Sequence, residues 1–100
     1  MVKHIILWTL KDEFTNEQKE QIKIGIKDGL EGLMGKIPGL TDIKVQITKL
    51  ETSNADVMLD STFESAEALK KYAVHPLHVD VADNKVRPYT ATRSCLDFEI

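Results

Sequence analysis

The chain predicts an α+β fold: a four-stranded antiparallel sheet with two helices on one face, in the order strand, helix, strand, strand, helix, strand. Three observations carry that expectation. Short segments rich in β-branched and aromatic residues alternate with two stretches of helical apolar spacing. A polar turn, Glu51 to Asn54, joins the two central strand-like segments directly and makes them a hairpin. Each helical stretch follows a strand and precedes another, which is the split-βαβ or ferredoxin-like topology, and right-handed crossovers put both helices on the same side. At 100 residues the chain is one domain spanning 1–100.

Val2 to Leu10 is the first strand, too short for a typical helix. Val2, His4, Ile6, Trp8 and Leu10 share one face, and Ile5 and Leu7 lie on the other. Both faces are apolar, so both are expected to be covered. Thr15 with Gln18 three residues later forms a capping box. The helix it opens is expected to run to about Lys36, with Ile22, Ile26, Leu30, Leu33 and Ile37 inward and Lys19, Lys23, Lys27 and Glu31 on a solvated face. Its glycines at 25, 29, 32 and 35 each cost about 1 kcal/mol in a helix interior, which points to close packing against the sheet.

Ile37-Pro38-Gly39-Leu40 ends the helix. Thr41 to Leu50 then reads as a half-buried strand through Ile43, Val45 and Ile47. Ala55 to Phe63 is the third strand, with Val57, Leu59, Ser61 and Phe63 on one face. Ser65 caps a second helix that reaches Ala73 or Val74. Pro76 suits the first position of a short helical turn, and Leu77 to Pro88 carries no clear periodicity. Ala91 to Ile100 is the last strand, with Leu96, Phe98 and Ile100 on one side and Arg93, Cys95 and Asp97 on the other. With both helices on one sheet face, the bare face is expected to be covered by a second copy, giving a homodimer through sheet faces.

Composition narrows the function classes. With 42% hydrophobic and 29% charged residues the chain is an ordinary globular domain, and a net charge of -3 gives no basic face for nucleic acid. No run approaches the roughly 20 apolar residues of a membrane span, and Val2 to Leu10, broken by Lys3 and His4, has no signal-peptide cleavage site. No membrane partner and a cytoplasmic location are therefore expected. The one cysteine, Cys95, allows no intrachain disulfide and is expected to be a buried, inert thiol.

Tyr72 to His78, reading Tyr-Ala-Val-His-Pro-Leu-His, concentrates the candidate chemistry. Imidazole titrates near neutral pH and is the usual proton-transfer group. Tyr72 and His78 are six residues apart and meet only if the chain bends at Pro76. His78 is a candidate general base or acid and Tyr72 a hydrogen-bond donor beside it; the plainer alternatives are a histidine that caps the irregular segment and a core-edge tyrosine. His75, preceding a proline, is expected to terminate the second helix, and His4 among apolar neighbours reads as a core histidine. A metal site from His4, His75, His78 and Asp80 or Asp83 lacks the spacing of a zinc motif, and no phosphate loop or cofactor fingerprint is present. No metal and no cofactor are expected.

The opening Val-Lys-His-Ile-Ile-Leu-Trp-Thr-Leu-Lys-Asp-Glu, the Ile-Pro-Gly-Leu turn, and Ser-Thr-Phe-Glu-Ser followed by Tyr72, His75-Pro76 and His78 together resemble the stress-responsive A/B barrel domain family. The resemblance extends from Val2 to about Phe98 and implies a ferredoxin-like protomer in a dimeric α+β barrel. Many members of the family have no assigned reaction, and three readings of this chain follow, the third a structural one in which its own side chains fill the cavity and the histidines serve the fold. The first is a small polyketide-cyclase-like enzyme: a plant member closes a linear polyketide thioester by aldol chemistry with a tyrosine and a histidine that match Tyr72 and His78, and its first-strand histidine matches His4. Its third-strand histidine falls on Val57 here, and a pocket tyrosine falls near Ile26, so the implied pocket is only partly shared. The second is a non-catalytic homodimer that binds a small apolar ligand or acts in a stress response. On the first two readings the pocket is expected to be lined by His4, Ile6, Trp8, Val57, Leu59, His75 and Leu77, and to take an apolar or polyketide-like ligand.

Overall fold

A computed structural model describes all residues, 1–100. The strands are β1 (Val2–Leu10), β2 (Leu40–Gln46), β3 (Val57–Phe63) and β4 (Thr90–Glu99). The helices are α1 (Asn16–Glu31), α2 (Ala66–Val74) and α3 (Pro76–Val81), and a π-helical turn, Ala82–Val86, follows α3. The sheet is antiparallel throughout with the order β2-β3-β1-β4, which is the ferredoxin-like arrangement the element order predicts. No helix is long and apolar enough to cross a membrane.

Local chemistry places the helices. The Thr15 hydroxyl accepts from the Gln18 backbone N–H while the Gln18 side chain accepts from the Thr15 N–H, so both halves of the capping box form. Ser65 accepts from the Ala68 N–H at the start of α2. The core lies between the helices and the sheet, around Ile26, Leu30, Val45, Leu59, Phe63 and Tyr72.

Several boundaries and faces differ from the sequence expectation. Helix α1 ends at Glu31, five residues before Lys36, and Gly32 to Ile37 form turns that still bury Leu33 and Ile37. Strand β2 stops at Gln46 and β3 starts at Val57, because Gln46 opposite Met58 is the last pair of their ladder. Lys23 is buried, not solvated: its stem lies in the α1 packing surface and its ammonium reaches Glu20 at 3.5 Å.

Lys27 and Glu31 have a further task. The Val45 N–H donates to the Glu31 carboxylate at 2.9 Å, and the Lys27 ammonium donates to the Val45 carbonyl at 2.8 Å. Strand β2 is a sheet edge, so these two side chains satisfy backbone groups that no neighbouring strand meets. Desolvation raises the Glu31 carboxyl, but its bonds to Lys27 and the Val45 N–H outweigh that and hold it below its ordinary value.

The α1 glycines also pack differently from expectation. A methyl group at Gly29 would stand 2.9 Å from Val81 Cγ1, and one at Gly25 would meet Lys85, so both face the α3 segment and not the sheet. Gly39 has φ +83, and a Cβ there would lie 2.5 Å from the Ala68 Cβ, so the turn into β2 requires glycine on both counts.

The other sheet face carries Ile5, Leu7, Met58, Leu96 and Phe98, with Lys3 paired to Asp60 at 2.8 Å among them. No helix covers this face. Leu96 remains 63% exposed and Phe98 42%.

Candidate functional site

The helices cover β2, β3 and β1 but leave β4 exposed along nearly its whole length. A cavity of about 680 Å³ opens there, between β1, β4, α2, α3 and the π-helical turn. Thirteen of its 21 lining residues are hydrophobic, so the wall is mainly apolar.

Strand pairing supplies the floor. His4 lies opposite Asp97, Ile6 opposite Cys95 and Trp8 opposite Arg93, and all six point into the cavity. His4 is buried, its Nδ1 bonds to the Asp97 carboxylate, and Cys95 Sγ stands 3.8 Å from that Nδ1 and 3.5 Å from the carboxylate. On the β3 side the Ser61 hydroxyl donates to the His4 carbonyl at 3.0 Å and fixes the strand beneath it.

The bend at Pro76 supplies the wall. His75 is extended (φ -66, ψ 133), and α3 starts at Pro76, whose missing N–H costs nothing at a helix start. The His75 Nδ1 accepts from the Leu77 N–H at 3.1 Å and caps α3. The turn back brings the His78 ring onto Tyr72, with centroids 4.2 Å apart at 36°. Tyr72 is fully buried against Phe63 and His4, and its hydroxyl has no hydrogen-bond partner within the chain.

His78 Nδ1 stands 3.2 Å from the Ala73 carbonyl. A carbonyl accepts only, so Nδ1 carries the proton and Nε2 is left with a free lone pair. Burial lowers the His78 pKa, the positive charges of Arg87 and Arg93 push the same way, and the Ala73 carbonyl opposes them without prevailing. The ring is therefore neutral at neutral pH. Burial raises the Tyr72 phenol well above its ordinary value and keeps it a protonated donor. Burial also raises the Cys95 thiol, reinforced by the Asp97 carboxylate.

Of the residues expected at the pocket, His4, Ile6, Trp8, Leu59, Tyr72 and His78 line it. Val57, His75 and Leu77 do not. Val57 is packed in the core at the far end of the sheet, opposite Trp8 in the ladder; His75 is occupied as a helix cap; Leu77 faces outward and is 44% exposed. Cys95 is exposed in the cavity and not buried, because the helices leave β4 uncovered. Sequence reasoning passed over Arg93, Cys95 and Asp97 as site residues. Their period-two spacing was the signal, since it puts all three on the strand face that pairs with His4 and Trp8.

The Stress Responsive A/B Barrel Domain (Dabb) family matches residues 2–100. The chain belongs to this family. Olivetolic acid cyclase of Cannabis sativa is 34% identical over 86 residues, covering 82% of this chain and 80% of that protein. A dimeric protein of unknown function with a ferredoxin-like fold from Bacteroides fragilis superposes with a TM-score of 0.92 at 30% identity, covering 99% of this chain and 95% of that one. The hydroxynitrile lyase of Passiflora edulis shares the fold, with a TM-score of 0.73 at 18% identity over 99% of this chain and 92% of its own. This Dabb domain thus has one enzyme, olivetolic acid cyclase, among its relatives and shares its fold with a second, the hydroxynitrile lyase.

Proposed function

We propose that this Dabb protein is a small enzyme of the polyketide-cyclase type, with His78 as general base and then acid and Tyr72 as its partner. The observation that carries the reading is the Tyr72–His78 pair at the wall of a mainly apolar cavity: a phenol with no partner beside a neutral imidazole with a free Nε2. In an aldol closure Nε2 takes a proton from a carbon flanked by two carbonyls. The resulting enolate carbon attacks a carbonyl carbon further along the same chain. The π electrons of that carbonyl move to its oxygen, and the alkoxide recovers a proton from Nε2. Tyr72 donates a hydrogen bond to the oxygen on which charge develops, where a buried donor acts most strongly. The 34% identity to olivetolic acid cyclase supports the class of chemistry. Val57 and Ile26, both core residues, argue for a differently shaped substrate.

The same reading takes the protein as a homodimer closed through the bare sheet faces. Ile5, Leu7, Met58, Leu96 and Phe98 offer apolar surface around the Lys3–Asp60 pair, and the similar Bacteroides fragilis protein is dimeric. A monomer in light scattering at micromolar concentration removes this part. A cytoplasmic setting completes the reading, supported by a single thiol without a cysteine to pair with.

Turnover of β-keto thioesters by the wild-type protein and by His78→Ala, each measured beside ligand binding, tests the catalytic assignment. Loss of turnover with binding retained is expected. Binding without turnover in the wild type leaves a ligand-binding dimer, the reading that the apolar wall alone would support.

A further inference from the structure

We infer that His4, Cys95 and Asp97 form a binding site for a borderline divalent cation of the zinc class, set in the cavity floor. The three donors lie on adjacent strands and share one face, His4 directly opposite Asp97 and Cys95 two residues before it. Nδ1, Sγ and a carboxylate oxygen all lie within 4.8 Å of one another. Zinc bonds of roughly 2.3 Å to sulfur and 2.0–2.1 Å to nitrogen, set at a tetrahedral angle, put those two atoms about 3.5 Å apart. Here sulfur stands 3.8 Å from Nδ1 and 3.5 Å from the carboxylate. To admit an ion the His4–Asp97 hydrogen bond must open, and the Cys95 hydrogen bond to Asp97 is lost with the thiol proton.

The donor chemistry selects the ion. A thiolate with an imidazole and one carboxylate suits zinc or cobalt and disfavours magnesium and calcium, which take oxygen ligands. On binding, Cys95 gives its thiol proton to solvent. The Nδ1 proton that bonds to Asp97 shifts through solvent to Nε2, so the neutral imidazole meets the ion with a free lone pair on Nδ1. The raised Cys95 thiol opposes the first step, and the cation's own charge reverses that balance. Three protein ligands leave a fourth position, the arrangement of an open zinc site. The cavity lies on that side, so the fourth ligand would be water or an oxygen of whatever occupies the cavity. The Tyr72 ring is 6.3 Å from the His4 ring, close enough for such a ligand to meet both the ion and the phenol.

Cobalt(II) titration of the reduced protein tests the site independently of any turnover. One ion per protomer is expected, with thiolate-to-cobalt charge-transfer absorption and the visible bands of a tetrahedral ion. Zinc should displace it and slow alkylation of Cys95. Cys95→Ser should abolish the charge-transfer absorption and weaken binding by more than about 100-fold, the upper range for loss of even an outer partner; Asp97→Asn should weaken it as well. Thermal melts of the variants without metal, expected to match wild type because both side chains are exposed, separate lost binding from lost folding. Absence of thiolate absorption up to millimolar cobalt overturns the site, and so does equal affinity in Cys95→Ser.

Discussion

The two edges of the sheet are built to opposite ends. At the β2 edge α1 lies close, Lys27 and Glu31 satisfy both backbone groups of Val45, and Val45 itself is 1% exposed. At the β4 edge no helix lies across the strand, and Arg93, Cys95 and Asp97 stand open over a cavity. One sheet thus has a sealed flank and an uncovered one. Polar side chains at the sealed flank serve the backbone, and those at the open flank are free to meet a ligand. The same residue types, a carboxylate and a cation on neighbouring elements, take different roles because packing was completed at one edge and withheld at the other.

Substitutions at the two flanks should therefore fail in different ways. The largest effect is expected at the open flank: His78→Ala should lower kcat on a β-keto thioester by about 10²- to 10⁴-fold with little change in melting temperature, read by steady-state kinetics beside a thermal melt. Wild-type turnover should rise with pH through an apparent pKa below the ordinary 6.5 of histidine, because Nε2 acts only when neutral and burial lowers its pKa. An acid limb above 6.5 would contradict that assignment.

At the sealed flank the loss should appear in stability. Gly39→Ala meets both a disfavoured φ and the Ala68 methyl, and should cost about 3 kcal/mol in urea unfolding. Glu31→Ala leaves the Val45 N–H without its acceptor and should cost about 1–2 kcal/mol. The Glu31 carboxyl is held below its ordinary value, so its contribution is full above pH 4.5 and is lost as pH falls through the lower folded value. Denaturant midpoints at pH 7 and pH 3 should show the gap between wild type and Glu31→Ala closing in acid.

The smallest effect on stability is the most discriminating. Tyr72→Phe removes a buried hydroxyl that bonds to nothing in the chain, so stability should stay level or rise by about 1 kcal/mol. Turnover should nevertheless fall, on the order of 10²-fold, if that hydroxyl supports developing charge. A drop in melting temperature would instead mark Tyr72 as a structural residue.

Much of the sealed side was legible in the sequence. Thr15 with Gln18, Ser65, and the alternation of Ile43 with Val45 depend on local spacing, and the structure forms each as expected. The open side was less so. Leu77 to Val86 shows no clean period because α3 passes directly into a π-helical turn, which shifts the repeat within a few residues. Cys95 was misplaced because strand alternation reveals which residues share a face but not how far a helix reaches across it. Lys23 was misplaced because a lysine's stem and its charge follow different rules, and only the packing of α1 decides which prevails. Tyr72 and His78 were recognisable as a pair through the family resemblance, with the Pro76 bend as the condition for their meeting, whereas their closeness required the backbone of His75.

Gly29 bears on how such a cavity acquires its size. Its missing methyl group lets Val81 come within touching distance of α1, and Val81 sits three residues along the same short helix from His78. The position of the imidazole over the cavity is thus gauged from behind, by an atom that is absent on the opposite side of the helix layer. A single methyl at position 29 would act as a shim, moving α3 outward with its histidine while every cavity-lining residue kept its identity. The size of the cavity can therefore be adjusted from a residue outside its lining.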